Sequence, residues 1–379
     1  MKNKEREIIE RELFETIKSD IGKSDISQAM IAKKLGIKDA SLTYYLQLTN
    51  RMKFIQFYRL VNIVYEDNYE MQIEMLKNFT HSTQKKENFK VCLEWSIHQG
   101  NNDLFDLAIQ RVEETDKNLE TAELYKLLMN RNQARINGLE LYNSVEGIKL
   151  KGITQKDMEV LARIITLYSF FDLKNFSSIA LFAEDVFKRI TDMKKGFMKT
   201  ACEVRVKEIS AVSYMKSGKI HEAETIAKSI IDEYDFNLFP LPINSMYSLL
   251  AELYLFRDQK KAGLLIDKAI NMFRGLKIQS YKNRESTLKS THDFIKIEIG
   301  DYQKLYLEDE AEKAHYFAKI EQKENALRIL NQIEEKNGSL SAHQLYYKAL
   351  ATQKMDDFKK AKDEFHKRGD FYYSKLAEI

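Results

Sequence analysis

Lys38, Ala40, Ser41, Thr43, Tyr44 and Gln47 share the outer side of one short helical stretch, with Gln28 before it and Arg51 and Lys53 just after it. Ammonium, hydroxyl, phenol and carboxamide groups are the ones that contact phosphates and base edges in the major groove of DNA. Holding them there takes two helices and a tight turn, and residues 27–46 supply both. Ser27 can cap the free amides of a first helix running to Leu35, which buries Ile31, Ala32 and Leu35. Gly36 suits the left-handed conformation of the turn, and Ile37 drops into the core beneath it. The small Ala32 allows a steep crossing. The second helix, from Asp39 to about Gln47, buries Leu42, Tyr45 and Leu46. An ordinary helical hairpin with a glycine C-cap has the same outline.

A second set of polar groups sits on stretches expected to be the inner helices of a repeat array: Lys90, Arg163, Arg205, Asn244, Tyr247 and Glu252. Side chains of these types fix the amides and charged termini of an extended peptide in a groove. The same types also occur on any exposed helix face.

Catalytic chemistry finds no support. No GxGxxG or GxxxxGK[ST] string is present, and the seven histidines stand singly, without an HExxH or an i, i+4 pair. Neither a metal nor a cofactor is expected, and an enzyme is not. Cys92 and Cys202 lie far apart without a CxxC and read as buried thiols, as in a reducing cytoplasm. Charges interrupt every apolar run, so no membrane segment or signal peptide is expected, and the protein should be soluble and intracellular.

The body that carries these groups reads as all-α. Two prolines in 379 residues, with long segments of 3.6-residue periodicity, leave little room for strands. Polar turns are followed within a few residues by Ala223, Ala262, Ala326 and Ala361, with 39 residues from Ala223 to Ala262 and 35 from Ala326 to Ala361. One helical hairpin per 35–45 residues, with a small residue where its second helix packs close, marks a tetratricopeptide-like right-handed solenoid. Hairpins are expected at about 85–115, 119–146, 155–190, 197–234, 243–275, 285–320 and 323–367. Charge is uneven along the chain. Residues 1–60 hold twelve Lys or Arg against eight Asp or Glu, an excess larger than the whole-chain +3. A basic head on a balanced body suits a phosphate-contacting domain joined to a sensing domain. The expected division is a helix-turn-helix DNA-binding domain at 1–65, a linker at 66–84 with its hinge at 80–87, a repeat domain at 85–368, and a C-terminal capping or dimerisation segment at 369–379.

The spacing Gln28-x-x-x-Ala32-x-x-x-Gly36-Ile37 resembles the phage-repressor class of helix-turn-helix, although Leu48-Thr49-Asn50-Arg51 stands where that class usually has an Asn-Gly-Lys type turn. The whole chain resembles the peptide-pheromone receptors of Firmicutes that join such a head to tetratricopeptide-like repeats, and within them the arbitrium receptors (AimR family) of temperate Bacillus phages. Leu35-Gly36-Ile37-Lys38, Tyr45-Leu46, residues 57–64 (Phe-Tyr-Arg-Leu-Val-Asn-Ile-Val) and Cys92-Leu93-Glu94-Trp95 carry that resemblance. It implies a homodimeric transcriptional activator that binds operator DNA and favours lysis until a secreted phage hexapeptide silences it. It also implies that Lys90, just before the Cys-Leu-Glu-Trp block, offers its charge to the peptide, whereas Glu252 stands where the family has asparagine. Two other readings stay open: a helix-turn-helix regulator whose repeats bind a protein partner, and a repeat adaptor that does not bind DNA.

Overall fold

The computed structural model describes residues 3–47, 52–115, 119–275 and 282–378, and among these every regular element is helical. The head begins with a long helix, α1 (Asn3–Lys23), followed by α2 (Gln28–Leu35), α3 (Asp39–Gln47) and α4 (Phe54–Val64). Ser27 caps α2, its hydroxyl accepting from the Met30 amide at 3.3 Å, and Gly36 ends it at φ +67°. Ile31, Ala32, Leu42 and Leu46 are buried as the spacing predicts. Charged residues dominate the first twelve positions, yet α1 forms there. The stripe Leu13, Phe14, Ile17, Ile21 carried its signal, and all four are buried.

The expected linker is a correction. Residues 69–82 form α5 (Tyr69–Ser82), and only a short turn separates it from α6 (Lys86–Gln99). Polarity suggested exposure at 80–87, yet Thr80, Ser82, Thr83 and Asn88 are buried because each finds a partner. The Ser82 hydroxyl donates to the Asn78 carbonyl at 2.8 Å. Asn88 donates to the Thr83 hydroxyl at 3.0 Å and accepts from the Phe54 amide, so a body side chain caps the last helix of the head. Phe57 stacks on Phe79 at 4.2 Å, Phe14 lies 5.6 Å from Phe57, and Phe54 and Tyr58 flank Trp95. One apolar core therefore runs from α1 through α4 and α5 into α6.

The body continues as α7 (Asn102–Thr115), α8 (Glu120–Asn132), α9 (Gly138–Lys151), α10 (Lys156–Asp172), α11 (Phe176–Thr191), α12 (Phe197–Lys216), α13 (Ile220–Glu233), α14 (Pro240–Tyr254) and α15 (Gln259–Gly275). α6 with α7, α12 with α13 and α14 with α15 pair as the expected hairpins, whereas α9 packs more on α10 than on α8 and α11 more on α12 than on α10. Ala223, Ala262, Ala326 and Ala361 are all fully buried, as close helix packing requires. Beyond α15 the phase slips. The expected hairpin at 285–320 contains α16 (Lys282–Glu298) and α17 (Glu310–Lys319), but α17 pairs with α18 (Lys323–Asn337), and α19 (Ala342–Thr352) with α20 (Met355–Lys367). Residues 299–309 between α16 and α17 are irregular and pinned by the Asp293 carboxylate, which accepts the amides of Tyr306 and Leu307 at 3.0 and 2.7 Å. That loop lets α17 open a new unit. The chain closes in a 3-10 turn, Tyr373–Ala377, that buries Tyr373, Leu376 and Ala377 against the body.

Candidate functional site

On α3 the structure leaves Lys38, Ala40, Thr43 and Gln47 exposed and Ser41 and Tyr44 half-buried. The Gln28 carboxamide at the start of α2 donates to the Thr43 hydroxyl at 2.5 Å, and that hydroxyl donates to the Asp39 carbonyl at 3.1 Å. Thr43 is thus held from both helices before any partner arrives. Lys53 is exposed at the amino end of α4, and Arg51 lies outside the described residues.

The six groove residues are not brought together. The expectation that inner helices would bound one open groove fails because α6 packs across the inside of the array against α12 and α14. Arg205 on α12 is buried there, its Nε donating to the Glu94 carboxylate at 2.6 Å and its Nη1 to the Tyr168 hydroxyl at 3.3 Å. Glu94 also accepts from Tyr125 at 2.8 Å and contacts His98 at 2.9 Å. Burial acts against its charge, yet Arg205 and His98 hold its carboxyl well below the usual range. Asn244 is buried too and donates to the Ala269 carbonyl at 2.7 Å. Arg163 sits in a surface network with Glu159, Asp185 and Arg189. Tyr247 accepts from Lys268 at 2.8 Å. Lys90 is paired with Asp157 at 2.7 Å beside a separate small cavity of about 180 Å³ between α6, α7 and the α9–α10 turn.

Glu252 alone of the six lines the larger cleft, about 320 Å³, where α12, α14, α16, α17 and α19 meet the C-terminal tail. Sequence reasoning missed its other walls, including Lys216, Glu312, His343, Tyr347 and Tyr373. Their partners come from distant parts of the chain. Tyr373 donates to the Glu252 carboxylate and Tyr372 to the Glu252 carbonyl, Tyr347 donates to Glu312 at 2.8 Å, and Lys216 pairs with Asp370 at 2.8 Å while lying 4.2 Å from the Tyr373 ring. Burial raises the pKa of both Glu252 and Glu312. Burial and the nearby Lys216 and His315 charges push His343 down to about 3. The cleft therefore presents neutral and anionic acceptors around one lysine, a surface suited to a polar ligand rich in donors. A second cavity of about 280 Å³ shares Asp309, Ala311 and Gln344 with it and extends it over α17 and α18.

Behind the cleft, fully buried His315 lies between Glu298 at 2.8 Å and Glu312 at 3.2 Å. Burial disfavours its charge, but the two carboxylates outweigh that and raise its pKa. A raised value means that its contribution to stability is complete below the ordinary histidine range and fades as pH rises through the folded value. The difference in Tm between the wild-type chain and His315→Gln is therefore expected to be largest near about pH 6 and to shrink toward about pH 9. Melting curves across that range check it, and a constant difference would contradict the assignment.

Among the described residues no group of acidic, histidine or cysteine side chains could hold a metal ion, and no helix is long and apolar enough to cross a membrane. Both cysteines are buried and free. Residues 70–379 match the family described as AimR transcriptional regulator-like. A Bacillus anthracis protein described as uncharacterised is 28% identical over 232 residues, which is 61% of this chain and 86% of that protein. A solved selenomethionine form of phAimR has a TM-score of 0.69 at 18% identity, covering 96% of this chain and 95% of its own. A phAimR–ligand structure has the same TM-score at 17% identity, covering 84% and 93%. At such identities the likeness shows a shared fold.

Proposed function

Because this chain belongs to the AimR transcriptional regulator-like family, we propose that it is a peptide-responsive regulator whose α3 reads operator DNA and whose cleft between α14, α16, α17, α19 and the tail takes a short secreted peptide. The observation that carries the reading is the joining of these two parts in one chain: a capped helix-turn-helix with polar groups outward, and a polar cleft of about 320 Å³ in the repeat body. Silencing by a phage peptide would make it a lysis–lysogeny switch acting in the host cytoplasm, without catalysis. The relative that was solved with a ligand supports a ligand-binding body.

The test is thermal stabilisation by synthetic hexapeptides, screened as a mixed pool and then individually. A peptide at a hundred times its Kd stabilises the folded state by about 2.7 kcal/mol. We expect a hexapeptide that raises Tm for the wild-type chain and does so far less for Glu312→Gln or Lys216→Met. No active fraction in the pool, or equal shifts in the variants, would overturn the cleft as the site.

A homodimer would let two heads engage paired half-sites, since one helix-turn-helix contacts only a few base pairs. Within the segment 369–379, expected to cap or dimerise, Tyr372 and Leu376 are buried in their own chain and offer no surface to a partner, and Ile379 lies outside the described residues. Phe371 remains exposed on the outer side of the tail, as does Phe256, whose ring is 5.2 Å from Tyr372. Phe371→Asp is expected to convert dimer to monomer in light scattering without lowering Tm. An unchanged dimer would place the contact elsewhere.

A further inference from the structure

Helix α14 touches the cleft at one end and the head at the other. At its carboxyl end Glu252 is held by the tail tyrosines, Tyr372 through its backbone carbonyl and Tyr373 through its carboxylate. Its amino end follows directly from a loop, residues 235–239, that is wedged in place. The Phe239 ring sits 5.0 Å from His98 on α6 and 5.4 Å from Phe197 on α12. The Asn237 carbonyl of this loop accepts two hydrogen bonds from elsewhere. One comes from the hydroxyl of Tyr58 on α4 at 2.9 Å, across 179 positions of sequence, and the other from the Gln99 carboxamide at the end of α6 at 2.6 Å. Tyr58 is buried, and its ring lies 4.9 Å from Trp95.

We propose that α14 is the connecting rod of the regulator, passing a change at the cleft through the Asn237 carbonyl and Tyr58 to the head. This rests on the proposed peptide and DNA sites and adds how one reaches the other. An α-helix of 15 residues moves as a unit of about 22 Å, so a shift at Glu252 reappears at residues 237–239. Pro240 and Pro242 stiffen its first turn against absorbing the motion. At the receiving end α4 packs on α2, so displacement of Tyr58 tilts the helix-turn-helix relative to the body. The exposed Arg59–Asp235 pair at 3.8 Å crosses the same seam and is too solvated to carry much.

Coupling between two sites is reciprocal, so a ligand on the head must be felt at the cleft. This allows a test without a known peptide. Hydrogen exchange is measured on the full chain with and without mixed-sequence duplex DNA at low salt. In the wild type we expect DNA to slow exchange in residues 28–47 and to change it in residues 240–254. Tyr58→Phe keeps the ring on Trp95 and removes only the hydroxyl. It should keep the effect at 28–47 and shrink the effect at 240–254 by about fivefold or more. Gln99→Leu, which removes the second donor, should act in the same direction, and Arg59→Ala should change neither. Protection of 28–47 with no change in 240–254, or full coupling in both Tyr58→Phe and Gln99→Leu, would overturn the rod. Absence of any protection at 28–47 in the wild type would instead overturn the DNA-binding reading beneath it.

Discussion

Arg205→Ala is expected to destabilise the chain by about 3–5 kcal/mol, the largest effect of any single substitution considered for the body. Glu94 is fully buried, and Arg205 is its only arginine or lysine ion-pair partner among the described residues. Truncation would leave a carboxylate among apolar neighbours, with His98 and Tyr125 as remaining partners. Because the pair ties α6 to α12, its loss would also loosen the packing that closes the inside of the array. Urea unfolding followed by circular dichroism measures the effect. The double variant Glu94→Gln, Arg205→Met should regain most of the stability, since a neutral, space-filling pair avoids the uncompensated charge. A single variant within about 1 kcal/mol of wild type would show that the pair is not structural.

On α3 the expected loss appears in DNA binding. The Lys38→Ala, Thr43→Ala, Tyr44→Ala triple variant should lose at least about a hundredfold in affinity for its best site, because each base contact discriminates by about 1–3 kcal/mol. Lys38→Ala alone should weaken all sequences alike and lower the salt slope by about 1. None of the three side chains is buried, so Tm should hold. Equal affinity of triple variant and wild type in a gel shift would remove α3 as the reading helix.

The head was largely legible because its determinants are local. Ser27, Gly36 and the Ile31, Leu42 and Leu46 spacing act within a few residues of one another, and the structure follows them. The hairpins holding Ala223 and Ala262 were legible from those small residues, whereas the phase beyond α15 was not. What depended on distant partners was not. The polar run at 80–87 reads as a hinge until Asn88, Arg111 and Cys92 are seen to satisfy Thr83 and Thr80. Arg205 reads as a ligand contact until α6 is seen to place Glu94 against it. The cleft was hidden for the same reason. Its walls come from five helices and the tail, and Tyr373 meets Glu252 across 121 positions. No periodic signal marks such a meeting.

The central claim is that α3 reads a specific operator. The most direct measurement is selection from a random pool of duplex DNA by the full-length chain, followed by sequencing of the bound fraction. The account predicts enrichment of one motif with two related half-sites about one helical turn, or a multiple of it, apart, and loss of that motif when the triple α3 variant is used. A bound pool with no enriched sequence, or the same motif enriched by the triple variant, would contradict it.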